Sequence, residues 1–415
     1  MRRDFWCLFQ GQLVSHLGTQ AFQVMSLYYL AQQTGTPGAG AAYLTLGLIP
    51  PVLLGPWLTA WSSRFSPRAV LVACDTLSAA LTLPMIAALG FGAPRPVVVA
   101  ALLATVTLMA TVNALMLPSI HAAVPRLVAP ERLAHANSFI VTTQQLASVI
   151  GQGAGGVLYG FAGPIALCSV TCAGFLGSAA WGSRLRDAAV VDAPRAAPVR
   201  IPPFSLLRTH RAFRRLALTS ALFNALYAPW LVLLPFHLAP TGSLAPQTFG
   251  MVLAAYGLGN IAGAFALRRL GARAGPSLLS RALVFQALGL CALGAAHEPW
   301  LVAGVLALLG AGIGIANVQT LTRVQTLVAL DRVSQATAVL RSSVQIATPA
   351  GFILVAITKT SLGFAPGTVY QVCGAALLVL LLPHLRALTA DGLPAPAGGA
   401  PTGAAPSTGG AGKRL

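Results

Sequence analysis

Long apolar runs, interrupted by short stretches of Pro, Gly and Arg, occupy the chain from about residue 7 to residue 385. Each run is about 20 residues long, the length an α-helix needs to cross the hydrocarbon core of a bilayer. The pattern predicts crossings near 7–31, 38–61, 69–90, 96–117, 135–160, 162–182, 213–237, 248–268, 277–296, 299–321, 334–357 and 363–385. The longest polar interruption, Ser183 to Arg211, divides these twelve into six and six. The expected organisation is a six-helix bundle over 1–182, a cytoplasmic linker over 183–212, a second six-helix bundle over 213–388 and a disordered cytoplasmic tail over 389–415.

Composition removes the soluble alternatives. Hydrophobic residues make up 56% of the chain and charged residues 8%, with a mean hydropathy of +0.76, against roughly 25% charged residues in soluble domains. The first segment follows a basic Met1-Arg2-Arg3 start but carries Gln10, Gln12, Ser15, His16, Gln20 and Gln23, so it reads as a membrane helix rather than a signal peptide. The Pro, Gly, Ala and Ser of the tail offer too little apolar surface to order it. The six cysteines fall in or beside the apolar runs and show neither metal-ligand nor disulfide spacing.

The net charge of +18 would fit a nucleic-acid binder only if the cations shared a face with interleaved aromatics. They sit instead between apolar runs. With twelve crossings, every Lys and Arg except Arg95 and Lys359 falls on one side, which the positive-inside rule assigns to the cytoplasm together with both termini. An error of one in the helix count would scramble that asymmetry. No nucleic-acid partner is expected; the bilayer accounts for the charge.

Val128-Ala129-Pro130-Glu131-Arg132-Leu133-Ala134-His135-Ala136-Asn137 returns as Val328-Ala329-Leu330-Asp331-Arg332-Val333-Ser334-Gln335-Ala336-Thr337, an offset of 200 residues. The echo continues from Gln145, Ala147 and Gly151 to Gln345, Ala347 and Gly351. Arg64-Phe65-Ser66-Pro67-Arg68 has a weaker echo in Arg269-Leu270-Gly271-Ala272-Arg273. Parallel six-helix repeats suit alternating access, with the halves rocking about a central site.

On these residues the chain resembles the major facilitator superfamily. Ser15-His16-Leu17-Gly18-Thr19-Gln20, the loop from Val124 to Ser138 and Gly151-Gln152-Gly153-Ala154-Gly155-Gly156 are similar to stretches of its bacterial exporter branch, which includes enterobactin and macrolide efflux proteins. The last stretch keeps three glycines of the exporter motif, Gly151, Gly155 and Gly156, as a helix-packing surface; Ala147 and Gln152 replace its first Gly and its Pro. The superfamily's loop motif after the second helix keeps Arg64 and Arg68 but has Thr59 and Ser63 for the Gly and Asp. That Asp helps latch the halves in the family. The resemblance implies an all-α transporter in the bacterial inner membrane, acting by efflux or uptake on a small organic molecule.

An ionisable group within a crossing is by default functional. Asp75 is the only acid so placed, and its expected partner is Arg64, Arg68 or Arg341, as a gate pair or a proton relay. Relatives driven by protons hold an acid in the first or fourth helix, where this chain has none, so protons remain an open candidate for coupling. Polar residues at helical spacing mark an expected cavity: Gln20 and Gln23 with Gln12 and His16; Gln145 with Ser148 and Gln152; Gln345 with Thr348 and Phe352; Asn224 and Tyr227 with Ser220 and Trp230. Asn113, Asn260 and Asn317 lie in three further crossings. Each amide serves either the substrate or helix packing. Such a lining suits an amphipathic or weakly charged solute.

No nucleotide-binding, metal-ligating or nucleophilic arrangement surfaces, so no cofactor, metal or enzymatic activity is expected, and a monomer is. The leading expectation is an exporter of drug-like or secondary-metabolite, siderophore-like molecules. A facilitator or importer of a neutral solute is the alternative, and a non-transporting membrane protein a third.

Overall fold

The computed structural model describes residues 3–62, 64–127, 133–184, 205–239, 245–270, 277–328 and 332–390. They form thirteen helices: α1 (Arg3–Thr34), α2 (Pro37–Ser62), α3 (Pro67–Gly90), α4 (Arg95–Leu127), α5 (Leu133–Ser183), α6 (Ser205–Thr209), α7 (Arg211–Tyr227), α8 (Pro229–Leu238), α9 (Pro246–Leu270), α10 (Leu278–Ala295), α11 (Pro299–Leu327), α12 (Val333–Leu362) and α13 (Pro366–Ala390). Most of the expected linker, 185–204, lies outside the described residues, and its remainder includes α6. The tail from 391, Ser63, and the repeated loops at 128–132 and 329–331 also lie outside them.

Nine helices among the described residues are long and apolar enough to cross a membrane. Three further crossings follow from their sequences. α5 is two crossings joined at Gly163, whose φ of 78° breaks the helix immediately before Pro164. The amides of α1 dilute its hydropathy along 32 residues, and α13 contributes the apolar stretch Pro366–Leu381. Conversely, the seventh crossing is divided into α7 and α8 at Ala228, because Pro229 has no N–H to continue the ladder. Large apolar side chains such as Phe91, Phe161, Leu53 and Val379 point outward, an arrangement that lipid stabilises and water would not.

Packing repeats across the chain. In the first half α1 packs on α5, α2 on α4, and α3 on α4 and α5; in the second, α7 packs on α12, α9 on α11, and α10 on α11 and α13. Each pair in one half has its counterpart in the other. The halves meet where α5 packs on α9 and α2 on α12. At the first contact a Cβ added to Gly156 would lie 2.6 Å from the Gly250 Cα, so both positions need glycine for the backbones to approach. Beside this crossing the buried Tyr28 meets Tyr159 edge-on and Phe249 at a tilt.

Candidate functional site: a central vestibule and two seam pockets

Between the halves lies an open vestibule of about 830 Å³. Its walls come from α1, α2, α4, α8 and α12. It runs from Gln23 and Phe352 toward Gly55 on α2, Ala114 on α4 and Ala338 on α12. That direction leads to the α2–α3 and α4–α5 connections, away from Tyr28, Tyr159 and Phe249. Polar lining comes from Gln23, Asn113, Ser342, Gln345 and Thr348, apolar lining chiefly from Phe22, Tyr43, Met109 and Phe352, and the one charge among the described lining residues is Arg341.

Two smaller pockets occupy equivalent seams. The α7–α12 seam opens into a space of about 280 Å³ among α7, α10, α11 and α12, lined by Phe223, Asn224, Ile313, Asn317 and Arg341 among others. Arg341 therefore borders both this pocket and the vestibule. The α1–α5 seam leaves only about 10 Å³, lined by Gln12, His16, Thr143, Gln144 and three apolar residues, room for about one water.

The structure distributes the expected cavity residues. Gln23, Asn113 and Gln345 line the vestibule, together with Thr348 and Phe352; Asn224 and Asn317 line the α7–α12 pocket. Gln20 takes the helix-packing alternative. Its Oε1 accepts from Gln152 Nε2 at 3.0 Å and from Ser148 Oγ at 3.3 Å, a clamp between α1 and α5. Gln145 is exposed but lines neither described pocket of the first half nor the vestibule. Tyr227 is buried and stacks on Phe223 with ring centroids 5.0 Å apart. Asn260 lies in the α9–α11 crossing, where its backbone faces Gly310 and Gly314.

Among the described residues the partners of Asp75 are hydroxyls and not one of the expected guanidinium groups. Ser15 Oγ of α1 donates to Oδ1 at 2.9 Å, and Ser178 Oγ of α5 donates to Oδ2 at 2.5 Å, with Asp75 only 2% exposed. Three helices are thereby joined through one carboxylate. Arg68 donates through one Nη to the Ser183 carbonyl at 2.6 Å, tying the start of α3 to the end of α5. Arg64 is exposed at the α2–α3 turn. Of the glycine motif, Gly151 and Gly155 face α1, where an added Cβ would lie 2.7 Å from the Leu17 carbonyl oxygen and the Ala21 Cα respectively, and Gly156 faces α9.

Sequence reasoning missed Ser15 and Ser178 because a serine in an apolar run ordinarily bonds its own helix backbone. Tyr43, Leu44 and Met109 were missed because apolar lining carries no contrast in an apolar chain.

A sequence profile described as Major Facilitator Superfamily matches residues 8–351. The chain belongs to that superfamily. Solved members share the fold at low identity. The nucleoside transporter NupG superposes with a TM-score of 0.76 at 14% identity, covering 93% of this chain and 99% of that one. A bacterial homologue of the iron transporter ferroportin, in its inward-facing state, gives 0.72 at 18% identity over 92% and 98%. The peptide transporter POT bound to alafosfalin gives 0.70 at 15% over 92% and 95%. No curated protein sequence matches significantly. Membership in the superfamily makes this multi-pass membrane protein a transporter of small molecules rather than an enzyme.

Proposed function

We propose that the protein exports amphipathic organic molecules, of drug-like or secondary-metabolite size, across the bacterial inner membrane by alternating access. The observation that carries this reading is the vestibule. It offers about 830 Å³ with aromatic walls and a few amides, and we read its mouth at the end bearing the α2–α3 and α4–α5 connections, toward which Gly55, Ala114 and Ala338 extend the lining. In the orientation that the cation asymmetry predicts, that mouth faces the cytoplasm, where an exporter loads. The similarity of the Gly151–Gly156 stretch to the exporter branch supports the same direction.

Rocking would open the α5–α9 and α2–α12 contacts between the halves while each half moves as a body. Asp75, held by Ser15 and Ser178 inside the first half, is the proposed coupling residue, through uptake and release of a proton. A second reading is a facilitator or importer of a neutral solute without proton coupling. It is favoured by one observation: no acid lines the vestibule among the described residues.

The test is accumulation of an amphipathic compound panel in inside-out vesicles, with and without a proton gradient, for wild type and Asp75→Asn. Gradient-dependent accumulation that Asp75→Asn abolishes is expected. Equilibration that ignores both the gradient and the substitution would move the protein to the second reading.

A further inference from the structure

We propose that the transported molecule is an organic monoanion whose carboxylate pairs with Arg341 and whose apolar arm enters the pocket of the α7–α12 seam; this rests on the vestibule being the transport site.

Arg341 lies in the membrane-crossing part of α12, Gln335–Val355. A guanidinium stays protonated in a protein, and a cation within a crossing ordinarily faces a cavity or a partner. Arg341 has no hydrogen-bond or ion-pair partner among the described residues, and no acid among them lines either cavity it borders. Asp75, the acid inside the first half, is satisfied by two serines. The site therefore carries one exposed positive charge with no counter-ion among the described residues that line it. A carboxylate satisfies it with two parallel hydrogen bonds, whereas a phosphate dianion would bring a second charge that nothing described there balances.

The shape of the seam supplies the rest. Gly151 and Gly351 are repeat equivalents, and they press on the Leu17 and Ala225 carbonyls respectively. That equivalence sets α1 against α7, so Leu8, Gln12 and His16 correspond to Leu216, Ser220 and Asn224. On the partner helices Ile140 and Gln144 correspond to Leu340 and Val344. All ten line the two seam pockets. In the first half long polar side chains fill the space; in the second shorter ones leave it open, and Arg341 stands where the repeat has Val141. The open pocket is mainly apolar, with one orphan: Thr219 is 1% exposed and its Oγ1 has no partner among the described residues. The second seam thus departs from its copy in two ways together, a hollow and a cation at its mouth.

Calorimetric titration of the purified, full-length protein in detergent tests this with phenylbutyrate, its neutral amide phenylbutyramide, the cation phenylbutylammonium, and benzoate as a carboxylate without an arm. Wild type should bind phenylbutyrate about tenfold or more tighter than the amide. Arg341→Gln should erase that preference and Arg341→Lys retain part of it. Filling the seam as the first half fills it, with Ser220→Gln and Val344→Gln, should weaken phenylbutyrate about tenfold and benzoate less than about twofold. Wild type binding the amide as tightly as the acid, or the ammonium more tightly, would overturn the proposal, and neither outcome depends on a variant folding. Acid preference that survives Arg341→Gln, or filled-seam variants that affect benzoate as much as phenylbutyrate, would also overturn it. If the amide binds and accumulates in vesicles without acid preference, the anion assignment alone is lost; if no probe binds and no panel compound accumulates, the transport-site reading falls with it.

Discussion

The α1–α5 and α7–α12 seams descend from the same repeat, yet one is clamped and the other is hollow. Along α5, Gly151 and Gly155 let α1 approach to backbone contact, and Gln152 and Ser148 bond across to Gln20. Along α12, Gly351 keeps the close approach to Ala225, but Val355 and Phe352 stand where Gly155 and Gln152 stand in the first half. The first half also carries the Asp75 node, in which Ser15 takes part; the corresponding residue of α7 is Phe223, a lining residue of the open pocket. Divergence after duplication has given one half polar cross-links and the other apolar space.

The largest effect should come from Gly155→Leu. A Cβ there would meet the Ala21 Cα at 2.7 Å, a backbone atom that cannot swing aside. Overpacking of this kind costs about 1–3 kcal/mol or more, and thermal melts in detergent should show a large fall in stability or loss of monodisperse protein. Gly55→Leu, where nothing lies within 4 Å, should melt like wild type. Since the second half already accepts Val355 at the equivalent place, equal stability of Gly155→Leu and wild type would show that the two seams are packed alike, and the contrast would be lost.

Next in size is Asp75→Ala. It strands the Ser15 and Ser178 hydroxyls inside the first half, and buried polar groups left without partners cost about 1–3 kcal/mol. Asp75→Asn should lose less, because its amide retains an acceptor for one serine and a donor for the other. Melting curves that rank wild type above Asn above Ala would establish the node as a structural cross-link in addition to any role in coupling. If the Ala variant melts with wild type, the carboxylate is held by something other than these hydroxyls.

The twelve crossings were legible in the sequence because a bilayer imposes a length and a polarity on every helix, and the cation asymmetry checked the count independently. The glycines were legible for a similar reason: Gly151, Gly155 and Gly156 stand at helical spacing, and all three meet another helix at backbone distance. Site residues were harder to place. Periodicity says that Gln20, Gln145 and Asn260 cannot all face lipid, but it does not distinguish a cavity from a neighbouring helix, and the structure sends Gln20 to a helix contact. Asp75 was visible as a buried acid, while its partners were not. Charge arguments favour an arginine, and only the packing of three helices shows that two serines arrive first. Arg341 was named among the expected partners of Asp75, but its place between two cavities depends on a seam whose openness no local pattern encodes.

The smallest effect, and the finest test of the contrast, belongs to the Gln20–Gln152 bond of 3.0 Å. Hydrogen bonds between membrane helices couple by about 0.6 kcal/mol on average, because alternative partners are available when one is removed. Gln20→Leu and Gln152→Leu should each lower stability slightly by leaving the other amide without this partner. The double variant should recover part of the loss, since two apolar side chains leave nothing unsatisfied. A double-mutant cycle on thermal or denaturant unfolding would therefore return a coupling of about 0.6 kcal/mol. Ser148 complicates the cycle, because it donates to Gln20 and accepts from Gln152, so the same cycle is run on a Ser148→Ala background. Coupling that vanishes on both backgrounds would return Gln20 to the substrate cavity, and the first seam would then differ from the second in its glycines and its acid alone.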